Sequence, residues 1–299
     1  MTTASENKAP WTTRTVHYLS NAIVYGMIKL ALALPYAARV RLVGVLASRV
    51  IGPLVGYRQR AMQHLAHVFP EMDQKTRKSI ATACLNNSGR TLIENYSTGD
   101  MLERMKDNPL TGAGVAPLET AKAQGRPIIL VSGHFGNYEA ARAVLMGRGY
   151  NVGGLYRNMT NPYFNDHYVQ TMRALGGPIF AQGPRGTAGF VRHLKPGGQM
   201  VLLFDLHVFG APVLDFVGHP ARTSISAAEL ALRFDALLIP FYGVRQPDGL
   251  GFETVFEAPI PHSDPVSMTQ AMNDSISKRI IENPEQWFWV PRRWRPDST

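Results

Sequence analysis

The residues best equipped for chemistry lie between Pro127 and Ala140, in PIILVSGHFGNYEA. An apolar run ends in Ser132-Gly133, His134 follows at once, and Glu139 comes five positions later as a helical pattern begins. Gly133 and Gly136 bracket the histidine, letting backbone approach closely, and the helix start offers unpaired N–H groups to an anion or oxyanion. A carboxylate on one imidazole nitrogen leaves the other as a base. Glu139, in the first turns of the helix, is placed to hold that tautomer and to stabilise imidazolium. The pair would then deprotonate a hydroxyl nucleophile, an effect of about 10²–10⁴ in rate. The competing reading is structural: a histidine at a helix start and an acid drawn there by the helix dipole.

The elements that must position these residues are legible around them. Short β-type runs occur at Pro127 to Ser132, Val152 to Tyr156, Gln199 to Phe204, Leu237 to Tyr242 and Phe252 to Phe256. Helical patterns occupy Tyr138 to Leu145, Tyr163 to Leu175, Gly186 to Leu194 and Ser224 to Arg233. This alternation predicts an α/β fold with a mixed, mostly parallel central sheet flanked by helices, whose ligands bind at the carboxyl ends of strands. Upstream, Asp73 is suited to cap a helix with Ile80, Cys84, Leu92 and Tyr96 on one side, and residues 107 to 126 are turn-rich. The expected organisation is a flexible N-terminus (1–17), a helical membrane-associating region (18–106) and an α/β core (107–299), forming a single domain overall.

The 299 residues are 45% hydrophobic, enough for a sizeable core, which excludes disordered and collagen-like classes. Lys plus Arg 31 against Asp plus Glu 22 gives a net charge of +9, which favours an acidic partner: nucleic acid, anionic lipid or an acidic protein. Tyr18 to Pro35 is apolar but carries Lys29, and Val40 to Val55 is a second apolar run, with Arg39, Arg41 and Arg49 in and beside it. Two arrangements suit such a region: helices lying in the interface of an anionic leaflet with basic side chains reaching headgroups, or amphipathic helices docked on the body. A spanning helix, which needs about 20 mostly apolar residues, fits less well.

Several chemistries are unsupported. The single cysteine, Cys84, precludes an internal disulfide or a multi-cysteine metal cluster. There is no Gly-x-Ser-x-Gly elbow, Walker A loop, Gly-x-Gly-x-x-Gly or His-Glu-x-x-His, and the other eight histidines lack metal-ligand spacing. The aromatic and basic end Trp287 to Arg295 has the ingredients of a nucleic-acid stacking surface, but no nucleic-acid-binding motif accompanies it.

Taken together with Arg58 to Pro70 (RQRAMQHLAHVFP), the segment SGHFGNYEAA resembles the bacterial lipid A biosynthesis acyltransferase family of the lysophospholipid acyltransferase superfamily. The likeness runs through Tyr156-Arg157, Asn161-Pro162, Arg173, Val201 to Asp205, Phe216 to Pro220, Ala228 to Ile239 and Gln286 to Trp294, in family order. It implies acyl transfer from an acyl carrier protein or coenzyme A thioester to a hydroxyl of a lipid A precursor, an anionic glycolipid, at the cytoplasmic face of the cell inner membrane. It implies no metal, no cofactor and no nucleic acid.

By this resemblance His134 would be the general base and Glu139 its orienting partner. Backbone N–H groups near Gly136 and Asn137, or a nearby arginine, would meet the oxyanion. Arg157 would meet acceptor phosphate, and Arg185, in a glycine-rich turn opening a helix, would be a second anion contact. Asp205 ends an apolar strand where the family commonly has Asp-Gln; here Leu206-His207 follows, leaving Asp205 as a substrate contact or a structural anchor. Pro291 stands where the family often has histidine, and the terminal tryptophans are expected to pack while the arginines anchor at the interface. Acylation of another glycolipid or phospholipid, thioester hydrolysis and non-catalytic carrier binding are the alternatives; an intact His134 and Glu139 argue against the last.

Overall fold

The structure is a computed structural model that describes residues 10–295. Positions 1–9 of the expected flexible N-terminus lie outside the described residues, and positions 11–17 are helical. They open α1 (Trp11–Leu32) behind the extended Pro10, and the turn is tied down where Asn161 Nδ2 donates to the His17 carbonyl and Tyr18 meets Tyr163 edge-on. Pro35, with no N–H to give, separates α1 from α2 (Tyr36–Leu46). A π-helical turn over Ala47–Ile51 leads into α3 (Gly52–Leu54), and Gly56, at φ +75°, turns the chain into α4 (Tyr57–Val68). No single helix is long and apolar enough to cross a membrane; the bent pair Tyr36–Leu54 and Tyr57–Val68, at 87°, meets that test only together.

Asp73 does cap α5 (Gln74–Tyr96), its Oδ1 accepting the Thr76 N–H at 3.0 Å. After α6 (Thr98–Met105) come β1 (Leu110–Thr111) and α7 (Val115–Ala123), so part of the turn-rich 107–126 stretch is a strand and a helix. Then follow β2 (Ile128–Ser132), α8 (Tyr138–Gly147), β3 (Val152–Tyr156), α9 (Pro162–Ala174), β4 (Ile179–Ala181), α10 (Pro184–Leu194) and β5 (Gln199–Leu203). A hairpin of β6 (Val213–Phe216) and β7 (His219–Arg222), then α11 (Ser226–Arg233), β8 (Leu237–Arg245), β9 (Phe252–Phe256) and α12 (Pro265–Glu282) complete the order. The short β1 and β4, the hairpin and α12 were not anticipated from the sequence; β1 and β4 are too brief for a period to register.

The seven-stranded sheet has the order β1-β9-β8-β2-β5-β3-β4. Strands β8, β2, β5, β3 and β4 run parallel, β9 is antiparallel to β8, and β1 runs with β9. This is the mixed, mostly parallel α/β architecture the alternation predicts. Both faces of β2 are covered, which is why it reads as a continuous apolar run. Ile129 and Val131 join a core built with Leu65, Cys84, Met272 and Trp287, whereas Ile128 and Leu130 pack with Leu118 and Leu145. The first of these cores takes side chains from α4 and α5 as well as from the sheet, so the N-terminal helices share the interior with the α/β body.

Helix α5 is fastened to the sheet by a buried ion pair. Glu94 is fully buried; its Oε2 accepts from Arg245 Nη2 of β8 at 2.7 Å and from Asn137 Nδ2 at 3.0 Å. Removing one member of a buried pair strands the other charge and costs about 3–5 kcal/mol. Glu94→Ala is therefore expected to lower the urea unfolding midpoint sharply, with a loss of about that size in unfolding free energy.

Candidate active site

Strand register brings the site together. Ser132 of β2 pairs with Leu203 of β5, and two residues further along both strands stand His134 and Asp205, side by side at the carboxyl edge. The Asp205 carboxylate accepts three donors: the His134 backbone N–H and the Trp287 indole N–H on Oδ2, each at 2.8 Å, and His134 Nδ1 on Oδ1 at 2.9 Å. A carboxylate only accepts, so Nδ1 carries the proton and Nε2 keeps its lone pair. A Cβ on Gly133 would stand 2.8 Å from the Asp205 carboxyl carbon and 2.2 Å from Ile276 Cδ1, so the residue before His134 must be glycine for the acid to approach.

The electrostatics follow from that contact. Burial pushes the His134 pKa down, but the Asp205 charge and hydrogen bond outweigh it, so the imidazole lies above its ordinary value. Asp205 is held below the ordinary carboxylate range: burial opposes ionisation, and the His134 charge, the two His134 hydrogen bonds and the Trp287 indole overcome it. Only 1% of the Asp205 side chain is exposed, against 33% for His134, so the acid is internal while the imidazole is accessible.

The partner of His134 is therefore Asp205, and the expectation for Glu139 is corrected. The Glu139 carboxylate pairs with Arg142 Nη1 at 2.7 Å, three residues along α8, with both side chains buried. Helical spacing brings these two together and turns the acid into the protein interior. Arg142 also donates to the carbonyls of Val152 and Gly176, fastening α8 to the start of β3 and to the end of α9. Glu139 thus positions strands and does not orient the imidazole.

The expected oxyanion donors are also corrected. The Gly136 N–H donates to the Gln286 carbonyl and the Asn137 N–H to the Gly243 carbonyl, each at 2.9 Å. Gly136 sits at φ +54°, and a Cβ there would lie 2.1 Å from the Gly243 oxygen. Asn137 caps α8, its Oδ1 accepting the Glu139 N–H. Both N–H groups are consumed in docking the loop on β8 and on the C-terminal segment, where Phe288 N–H donates to the His134 carbonyl.

His134 lines a cavity of about 200 Å³ with Gly136, Tyr138, Tyr168 of α9, Gln286, Phe288 and the Asn87 to Asn95 face of α5. Burial raises the Tyr138 and Tyr168 pKa values and keeps both phenols protonated, so they are hydrogen-bond donors on the cavity wall. Neither was singled out in the sequence; Tyr138 lies inside the His134 segment, whereas Tyr168 arrives only through the packing of α9. Arg157 and Arg185 are exposed at the carboxyl ends of β3 and β4 and line no part of this cavity. At about 4.8 Å per strand they stand roughly 10–14 Å along the edge from β2.

The C-terminal segment is a wall of the site. Trp287 and Trp289 are buried, as expected, but so is Arg293, which donates to the Arg222 carbonyl and Thr223 Oγ1; Arg292 and Arg295 alone of the terminal arginines stay exposed. Among the described residues, no group of three or more His, Cys, Asp or Glu side chains is placed to hold a metal ion.

An accessible histidine polarised by a buried carboxylate is equipped to activate a hydroxyl carried by a substrate. The comparisons agree with an acyl-transfer chemistry. The family model for bacterial lipid A biosynthesis acyltransferases matches residues 7–296. The lipid A biosynthesis lauroyltransferase of Escherichia coli K12 is 28% identical over 283 residues, covering 90% of this chain and 89% of its own. A lipid A biosynthesis acyltransferase of Haemophilus influenzae is 24% identical over 86% of this chain and 81% of its own. A phosphatidylinositol mannoside acyltransferase of Mycobacterium tuberculosis is 23% identical over 80% and 78%. The match along nearly the whole chain, with these relatives, makes this protein an O-acyltransferase of the bacterial lipid A biosynthesis acyltransferase family.

Proposed function

We propose that the protein transfers a fatty acyl chain from an acyl carrier protein or coenzyme A thioester to a hydroxyl of a lipid A precursor, with His134 as general base held by Asp205. The His134–Asp205 contact carries this reading. Nε2 takes the proton of the acceptor hydroxyl as its oxygen attacks the thioester carbonyl. The imidazolium that forms is stabilised by Asp205. The tetrahedral intermediate then expels the thiolate, which recovers the proton from Nε2, so the products are an ester and a free thiol. Tyr138 and Tyr168 are the donors on the cavity wall available to the oxyanion, and Arg157 and Arg185 are the exposed cations at the far end of the edge.

The exposed apolar surface of the N-terminal helices supports a reaction at the cytoplasmic leaflet of the inner membrane. Val16, Leu19, Ile23, Met27 and Leu30 form an exposed stripe at three- and four-residue spacing on α1, and Leu42, Val45, Leu46, Val50 and Leu54 continue the apolar surface. Exposed Arg41 and Arg49 lie among them, as suits an anionic leaflet.

Labelled acyl chain supplied on acyl carrier protein, and separately on coenzyme A, is expected to appear in a glycolipid of the lipid A class, and His134→Ala to lower the rate about 10²–10⁴-fold. Label released as free fatty acid would make the protein a thioesterase. Because neutral imidazole is the active form and Asp205 raises its pKa, kcat/KM is expected to climb through a limb above the pH of free imidazole, about 6.5. Asp205→Asn removes the raising influence and leaves burial, so the limb should move to lower pH while the plateau falls. Ile23→Asp with Met27→Asp is expected to reduce co-sedimentation with anionic vesicles and leave the unfolding midpoint in place.

A further inference from the structure

Beyond Asn87 and Gln286, which line both spaces, the histidine cavity adjoins an open groove of about 1140 Å³. Its walls are the outer face of α5, the π-helical turn after α2, the carboxyl end of β8 and the end of α12. Arg49, Lys75 and Lys78 reach it exposed and without an ion pair among the described residues, and Arg90 reaches it half-buried, with an Nε that has no partner. Arg245 and Arg279 also line it but are neutralised by Glu94 and Glu257. Against the four remaining cations stand two carboxylates, Glu253 and Glu285.

Most of the rest of the lining consists of hydroxyls and amides, such as Ser79, Thr82, Asn86, Gln246 and Asn283. No aromatic ring lines the groove, so it offers neither the stacking platform a nucleotide base uses nor the aromatic anchors of a protein interface. Cations for phosphate with amides and hydroxyls for sugar hydroxyls are the donor set of a phosphorylated glycan. Helix rise of about 1.5 Å per residue sets Lys75 and Lys78 roughly 14–18 Å from Asn87, room for a headgroup longer than one sugar ring. On one side the groove is lined by Val45 and Arg49, which belong to the exposed surface of the N-terminal helices, and on the other by Asn87 and Gln286, which it shares with the cavity that His134 lines.

We infer that this groove, and not the Arg157 and Arg185 end of the sheet, is the site for the phosphorylated headgroup of the glycolipid acceptor. The inference rests on the acyltransferase reading above. The acceptor would keep its chains on the apolar surface, lay its headgroup against α5 with phosphate at Lys75, Lys78 and Arg49, and present its hydroxyl past Asn87 and Gln286 to Nε2.

The test compares wild type, Lys75→Gln/Lys78→Gln and Arg157→Gln on a phosphorylated lipid A precursor and on the same lipid after phosphatase treatment. The lysine variant is expected to lose about tenfold in the kcat/KM ratio between phosphorylated and dephosphorylated acceptor, through acceptor KM and with donor KM unchanged. A rise in donor KM instead, or a loss of the ratio in Arg157→Gln and not in the lysine variant, overturns the inference. A binding arm separates this from failure of the proposed reaction. His134→Ala protein is sedimented with neutral vesicles doped with either lipid, and with vesicles of phosphatidylglycerol. Binding that depends on both the lipid phosphate and the two lysines supports the groove even if no acyl chain is transferred. An equal loss of binding to phosphatidylglycerol reduces the lysines to unspecific surface charge and overturns it.

Discussion

A carboxylate placed in an apolar interior must be met by donors, because an unpaired buried charge costs several kcal/mol. Asp205 is such a group, and the three N–H groups that satisfy it come from two places, the turn after β2 and the C-terminal segment. Satisfying the acid therefore assembles the site: it fixes the His134 tautomer, sets the ring at the carboxyl edge and draws Trp287 against the end of β5. The C-terminal segment is pinned further by the antiparallel bridge between Phe135 and Trp287 and by the Cys84 thiol donating to the Trp287 carbonyl.

Two buried ion pairs stand behind this contact. Glu94 and Arg245 join α5 to β8 and steady the Asn137 cap, while Glu139 and Arg142 join α8 to β3 and the end of α9. Neither pair touches the imidazole. They fix the helices and strands that carry it, and so hold the position of the ring. The acid five residues after His134 thus belongs to the scaffold of the site.

The surroundings of His134 are graded in polarity. An apolar surface on α1 to α3 lies beside a groove lined by cations, amides and hydroxyls, which shares two lining residues with a small cavity that holds two protonated phenols and His134. That order matches an amphiphilic acceptor with its chains at one end and a reacting hydroxyl at the other. The net charge of +9 is a coarse sign of the same demand, but it does not say where the unneutralised cations gather.

The sequence by itself determined the alternation of strands and helices, the position of the histidine at a strand end, the Asp73 cap and the family. Each of these is written in local residue order, as period, cap or motif. Only the tertiary structure decided which acid holds His134, since Asp205 lies 71 residues away and reaches it through the β2–β5 register. Local spacing favoured Glu139, but three residues further along α8 the helix supplied Arg142, a charge that captures it. The Gly136 and Asn137 N–H groups looked free for the same reason: their acceptors, Gln286 and Gly243, come from distant strands and loops. Side-chain chemistry is local and can be read along the chain, whereas the partner that a buried polar group finds is set by which elements the core brings together.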